Sequence, residues 1–311
     1  MGKQMFLQQA HTYNRKKHNL IGTLATVKLD GIRCFWDGGV TTGMTKNLVP
    51  WANTDKDSRY KTEQIATGLW TRYGNVIQAP EWFIEELPKG VPLDGELWAG
   101  RGQHQFTRSV VSRLIPDARW GRIRFGVFNS PNLSTVFAPR KIELKGQYEK
   151  DFSGILYWLQ ELGVTIDHKP SSVCTYADVQ DYLRECDFWN TYVNHIPTRL
   201  MISNDDIIDV YARELNLGGE GVIFTNPNSI YRCERVHEQI KQKPFSSDEA
   251  IVTGYVTGRR TELGSKLLGM MGALVLELDN GNVFELSGFT YGERELVSDE
   301  LNATEWAENN P

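Results

Sequence analysis

The chain has 311 residues, 40% of them hydrophobic, enough for one large core or two unequal domains and too apolar for a disordered or low-complexity chain. Its formal net charge of −5 excludes a uniformly basic nucleic-acid binder, so contact with a polyanion falls to local patches. Cys34, Cys174, Cys186 and Cys233 lack zinc-knuckle spacing and read as reduced thiols of a cytoplasmic protein, and no stretch reads as a signal peptide or membrane span.

Residues 22–37, GTLATVKLDGIRCFWD, alternate and carry β-branched and aromatic side chains; they predict a hairpin turning at Asp30-Gly31. After a polar stretch from Lys46 to Glu63, TRYGNVIQAP (71–80) reads as a short strand and turn, and EWFIEEL (81–87) as a short helix. PLDGELWAG (92–100) is a strand running into Gly100-Arg101-Gly102, and RIRFGVFNS (122–130) is another. The helical spacing of Phe152, Ile155, Leu156, Leu159 and Leu162 predicts an amphipathic helix over 151–162. Further helices are expected over 176–186 and 205–216, the last stopped by Gly218-Gly219. EGVIFTN (220–226) and EQIKQKPF (238–245) read as strands, and Pro244, Ser246 and Ser247 as a linker. Three more strands follow, EAIVTGYV (249–256), GALVLEL (272–278) and NVFELS (282–287), with turns at Gly258 and Asn280-Gly281. From Gly292 the chain is polar and acidic, without strand alternation. The pattern predicts an α+β domain over 1–244 followed by a small β domain over 245–311.

Several residues carry chemical potential, each ambiguous alone. Lys28 in VKLDGIR is either an ordinary exposed lysine or a nucleophile. The second role needs neighbours that favour loss of its proton, since a free lysine titrates near 10.4. Attack on phosphorus would yield a phosphoramidate, a carrier of a nucleotidyl group. Arg33 suits a phosphate or a ribose hydroxyl. Asp94 and Glu96 share a strand face and could hold magnesium or a ribose, or be solvated. Glu220 opens the apolar GVIF run as a second candidate metal ligand. Lys241 and Lys243 on one strand face would repel unless an anion lies between them. Six arginines within 24 residues, Arg101, Arg108, Arg113, Arg119, Arg122 and Arg124, with Trp120 among them, suggest a local basic surface for a polyanion such as a nucleic acid, joined in the tail by Arg259, Arg260 and Lys266.

The ordered set KLDGIR, TRYGN, LDGELWAGRGQ, FGVF, EGVIF and IKQK, spread over about residues 22–290, resembles the nucleotidyltransferase motifs of the ATP-dependent DNA ligase family, most of all its minimal bacterial and phage members. A lone KxDG would be weak; six blocks in order are specific. The resemblance implies an adenylation domain of antiparallel sheets flanked by helices, then an OB-like domain. Only three of the five strands of an OB fold are legible here, so that domain reads as incomplete. It implies Lys28 as the adenylated nucleophile and Arg33 and Arg72 on the adenylate and the nick 5′-phosphate. Glu96 would hold the ribose or bear on metal, and Phe128 would stack on adenine. Glu220 would be the metal-binding carboxylate, and Lys241 and Lys243 would contact the α-phosphate. ATP and Mg2+ would be the cofactors and nicked duplex DNA the partner, for a monomer with no membrane association. NAD-type ligases, by contrast, carry an N-terminal extension and a four-cysteine module.

Two positions depart from the family pattern. Asn129 stands where Asp is usual after the FGVF aromatic, which removes a charge near the nucleotide, and Tyr73 stands where a small residue is common. Two rival readings are an RNA ligase or mRNA-capping nucleotidyltransferase, against which GELWAGRGQ argues, and a catalytically silent nucleic-acid-binding homologue. Against the second stand Lys28, Glu96, Glu220 and Lys243.

Overall fold

The computed structural model describes residues 7–49, 51–53, 64–131, 174–244, 249–258 and 270–298. The helix expected over 151–162, Ser246 and Ser247 of the linker, and Arg259, Arg260 and Lys266 lie outside the described residues. The chain divides into two compact units, Met1–Pro244 and Phe245–Pro311.

In the first unit the described elements are, in chain order, β1 (Gln9–Thr12), β2 (Leu24–Val27), β3 (Ile32–Trp36), β4 (Leu69–Thr71), α1 (Glu81–Glu85), β5 (Leu93–Trp98), α2 (His104–Val111), β6 (Arg124–Asn129), α3 (Tyr176–Glu185), β7 (Val193–His195), β8 (Arg199–Leu200), α4 (Asn204–Asn216), β9 (Val222–Thr225) and β10 (Arg235–Gln242). They build two five-stranded sheets, one in the order β1-β10-β9-β2-β8 and the other β4-β3-β5-β6-β7. Pairing is antiparallel except for β1 with β10 and β6 with β7, so each sheet carries one parallel edge strand that the sequence pattern did not indicate.

β2 and β3 do not form the expected hairpin. β2 pairs with β9 and β8, and β3 with β4 and β5. Gly31 lacks the positive φ that a two-residue Asp-Gly hairpin turn requires. Its role is close approach instead: a Cβ there would stand 2.2 Å from the Leu97 carbonyl oxygen. Residues 28–31 therefore cross from one sheet to the other, which sets Lys28 between them.

Each sheet buries its outer face under helices. Cys34, Trp36, Leu93, Leu97, Phe125 and Val127 of the second sheet pack with Phe83 of α1, Val110 and Val111 of α2 and Val179 and Leu183 of α3. Ala25, Val222, Phe224 and Ile240 of the first sheet pack with Ile207 of α4. Fully burying one such side chain is worth roughly 1.5–3 kcal/mol. The helix ends follow sequence signals: Thr175 and Asp178 close a capping box on α3, and Ser203 accepts from the Asp206 amide at the start of α4. Gly218, at φ 73°, ends α4 as expected.

The second unit contains an antiparallel three-stranded sheet, β11 (Ala250–Thr257), β12 (Met271–Leu278) and β13 (Val283–Leu286), and a helix α5 (Tyr291–Ser298) in the polar stretch after Phe289. Met271, Leu274 and Leu276 form its core with Ala250, Val252 and Phe289. Arg294 of α5 is buried and donates to the carbonyls of Met271 and Gly272, both at 2.7 Å.

Candidate functional site

The inner faces of the two sheets enclose a cavity of about 680 Å³, lined among others by Thr26, Lys28, Ile223 and Lys241 from the first sheet and its edge, and by Arg33, Glu96 and Phe128 from the second. Lys28 follows β2 directly. Its amide donates to the Gly221 carbonyl at 2.9 Å, and its Nζ is ion-paired with Glu220. The glycine stop of α4 and Gly221 (φ 138°) bring Glu220 there. A Cβ on Gly221 would stand 2.1 Å from the Gln242 carbonyl oxygen, so only glycine allows β10 this near.

Lys241 is opposite Ile223, which is opposite Thr26, so all three share one row across the sheet. Burial, then the neighbouring charges of Arg235, Lys28, Lys243 and Arg72, hold the Lys241 ammonium below its ordinary pKa. Such a concentration of like charge around a half-buried lysine is a place for a polyanion. Lys243, expected on the same strand face, instead lies one residue past the end of β10, exposed, with Pro244 ending the strand.

The two carboxylates of LDGELW part company. Glu96 lines the cavity opposite Arg33, and burial pushes its carboxyl up to about 7 against the pull of Arg33 and Lys28. Asp94 is fully buried, receives two hydrogen bonds from Arg33 at 2.7 and 2.6 Å, and accepts a third from the Tyr231 hydroxyl at 2.7 Å. Arg33 is thus not the free phosphate ligand the sequence suggested. Burial works against its charge, Asp94 more than offsets this, and its guanidinium lies 4.4 Å from the centre of the Phe128 ring. Asn129 is the register partner of Asp94 and is itself buried. An Asp there would set a second carboxylate beside a buried one, so the departure from Asp removes a repulsion.

Arg72 also lines the cavity, its guanidinium 4.6 Å from the centre of the Tyr73 ring. From α2, His104 and Arg108 reach the same cavity, and His104 Nδ1 approaches Asp30 Oδ1 at 3.1 Å. Of the arginine-rich segment expected to form a basic surface, Arg101, Arg113 and Arg119 are ion-paired, whereas Arg108, Arg122 and Arg124 form no ion pair among the described residues. Arg101 is bound twice to Glu214 at 2.8 Å. Arg113 and Arg119 share Asp117. Arg122 covers Phe106, and Arg124 donates to the carbonyls of Gly121 and Ile123. Of the six, Arg108 alone lines the cavity. Sequence reasoning missed Tyr231, Tyr176, Arg235, Gln239 and His104; of these His104, just after the glycine-rich loop, and Gln239, just before IKQK, sit beside recognised motifs.

Two cavity carboxylates, Glu96 and Glu220, suit magnesium, which usually takes one or two carboxylates together with substrate phosphates. Among the described residues no group of three or more His, Cys, Asp or Glu could enclose a metal ion by itself.

No family model matches the chain. A DNA ligase of Haemophilus influenzae is 24% identical over 289 residues, spanning 93% of this chain and 80% of that protein. A solved structure described as "DNA binding with a minimal scaffold: Structure-function analysis of Lig E DNA ligases" is similar at 25% identity and a TM-score of 0.62, covering 93% of this chain and 87% of the other. Another, Pmar-Lig_PreS3, shares the fold at 16% identity and a TM-score of 0.59, covering 98% of this chain and 60% of its own.

Proposed function

We propose that this chain is an ATP-dependent DNA ligase of the minimal type, which seals nicks between 3′-hydroxyl and 5′-phosphate ends of duplex DNA through a lysyl-AMP on Lys28. The observation that carries the reading is Lys28 paired with Glu220 and lining one cavity together with Glu96, Lys241 and Phe128.

The reaction has three phosphoryl-transfer steps, in which the protein supplies position and charge rather than covalent chemistry beyond the nucleophile. Glu220, in contact with Nζ, orients Lys28, and the proton that Lys28 must lose passes to solvent. The amine then attacks the α-phosphorus of ATP, a P–N bond forms, and pyrophosphate leaves. Lys241 lies on the same sheet, where it offsets the charge of the α-phosphate. Phe128 offers a ring to the base, and Glu96 an acceptor to the ribose. The 5′-phosphate of a nick, held by Arg72 and Arg108, attacks the phosphorus of the AMP, a P–O–P bond forms, and the P–N bond breaks to release the Lys28 amine. The 3′-hydroxyl attacks that phosphate, and AMP departs with the shared electron pair. Mg2+, held by Glu220 and Glu96 with phosphate oxygens, would supply neutralisation of the leaving pyrophosphate. The first unit acts as the adenylation domain and the second as an OB-like domain. No helix among the described residues is long and apolar enough to cross a membrane.

The test is a covalent adduct. Incubation with ATP or GTP labelled at the α-phosphate, followed by a denaturing gel, should label the protein from ATP, and Lys28→Ala should remove the label. Chasing the adduct with nicked DNA or with RNA ends separates a DNA ligase from an RNA ligase or capping enzyme, and no adduct at all would mean a silent homologue.

A further inference from the structure

A second cationic surface next to the cavity lies apart from the arginine-rich segment. It starts at Lys241 and Arg235, both lining the cavity, and runs outward along the edge of the first sheet where β1 lies against β10. His11 of β1 and His237 of β10 are stacked, ring centres 3.9 Å apart and planes 6° from parallel. Beyond them the amide of Tyr13 donates to the Lys241 carbonyl at 2.9 Å, and the chain makes a tight turn over 14–18. That turn is built by its own residues: Asn14 Oδ1 accepts from the Lys16 amide, the Asn14 carbonyl from the amides of Lys17 and His18, and His18 Nδ1 from the Asn14 amide. It holds Arg15, Lys16 and Lys17 out in solvent.

Among the described residues none of Arg15, Lys16, Lys17, Arg235 and Lys241 forms an ion pair. Their charge is felt along the strip: burial first, and then His237, Arg235, His18 and Lys241, hold the His11 imidazole below its ordinary pKa. In a chain of net charge −5, an unpaired cationic strip continuous with the active cavity has no internal purpose. Its spacing of exposed cations along a strand edge and turn suits a run of phosphodiesters.

We infer that the edge formed by Arg15, Lys16, Lys17, the His11–His237 stack and Arg235 is a binding track for the sugar-phosphate backbone of the nicked duplex, leading one strand into the cavity at Lys241. This rests on the ligase reading. The track binds phosphate without reading bases, so it contributes affinity and register rather than sequence preference.

The experiment compares Arg15→Ala/Lys16→Ala/Lys17→Ala with the parent for binding of a nicked duplex over a range of KCl, and for labelling by ATP. Arg184→Ala, which removes an exposed cation already paired with Asp181, is the control. The triple variant should bind the nicked duplex at least about tenfold more weakly at ~0.1 M salt. Its slope of log affinity against log salt should be shallower by about 0.9 for each phosphate the variant no longer neutralises, two to three units in all. Labelling by ATP should stay at the parent level, and the control should match the parent in both assays. An unchanged slope and affinity in the triple variant would overturn the track. So would a loss of ATP labelling with DNA binding intact, which would assign these cations to the nucleotide. If the parent itself takes no label, the ligase reading fails, while a salt-dependent loss of duplex binding in the triple variant would still support the track.

Discussion

Arg33 and Asp94 grip each other through two hydrogen bonds, Nε to Oδ1 at 2.7 Å and Nη2 to Oδ2 at 2.6 Å, at the centre of the second sheet. The third hydrogen bond to Asp94 comes from Tyr231, in the connection between β9 and β10 of the first sheet, so the trio ties the two walls of the cavity together. Asp94→Ala would leave the Arg33 charge in a mostly buried place without a counter-ion. The cost should be about 3–5 kcal/mol of unfolding free energy. Tyr231→Phe removes one neutral donor and should cost nearer ~1 kcal/mol, plus a modest term for the buried Asp94 oxygen, which keeps only its bond from Arg33. Denaturant unfolding of the two variants checks this, and an Asp94→Ala protein within about 1 kcal/mol of the parent would show that Arg33 finds another partner.

Lys28 and Glu220 are partners of a different kind, half-buried at the cavity rather than locked in the core. Lys28→Ala should abolish the AMP adduct and leave DNA binding and folding near normal. Lys28→Arg should fail as well, because a guanidinium is never deprotonated in proteins. Glu220→Ala and Glu96→Ala should each slow sealing by two or more orders of magnitude, on the order of 3 kcal/mol of transition-state stabilisation. Single-turnover sealing rates decide it: variants within about threefold of the parent would remove these carboxylates from the mechanism.

Gly31 shows both what the sequence disclosed and what it withheld. Alternation and capping are local, and they located β3, β5, β6, β9 and the helices α1, α3 and α4 to within a few residues. The motif blocks also named Lys28, Arg72, Glu96, Phe128, Glu220 and Lys241, which the fold brings to one cavity. Strand pairing is not local: two alternating runs around Asp-Gly look the same whether they pair with each other or part to separate sheets. The partners of Arg33 and Arg101, 61 and 113 residues away, leave no mark in the neighbouring sequence. Asp117 is different, since it stands within four residues of Arg113 and Arg119 and its neutralising effect is open to direct reading. The close approach of Gly31 yields its own prediction. A methyl at Gly31 would meet Leu97 O at 2.2 Å and Glu96 Cγ at 2.8 Å. Gly31→Ala should therefore lose about 1–3 kcal/mol by overpacking and shift Lys28 enough to slow adduct formation by tenfold or more. A fully active, equally stable alanine variant would mean that β5 can retreat freely.

Glu96 gives a pH dependence with a defined sign. Burial, reinforced by Asp94 and Glu220 and opposed by Arg33 and Lys28, raises its pKa from 4.5 to about 7. Between those two values the folded protein holds a proton that the unfolded chain has released. The contribution of this group to stability is therefore full below about pH 4.5 and is lost as pH rises through 7. Glu96→Gln keeps the shape and removes the titration. The nucleotide-free variant should then gain on the parent in melting temperature as pH rises from 5 to 8, and level off above that. The ceiling is about 3 kcal/mol at 1.36 kcal/mol per pKa unit. Asp37, a buried carboxyl also raised, to about 6, slopes the same way in both proteins and cancels in the difference. Paired melting curves at pH 5, 6, 7 and 8 measure that difference, and one that stays flat across the range would show that Glu96 is ionised normally and better solvated than its place on β5 indicates.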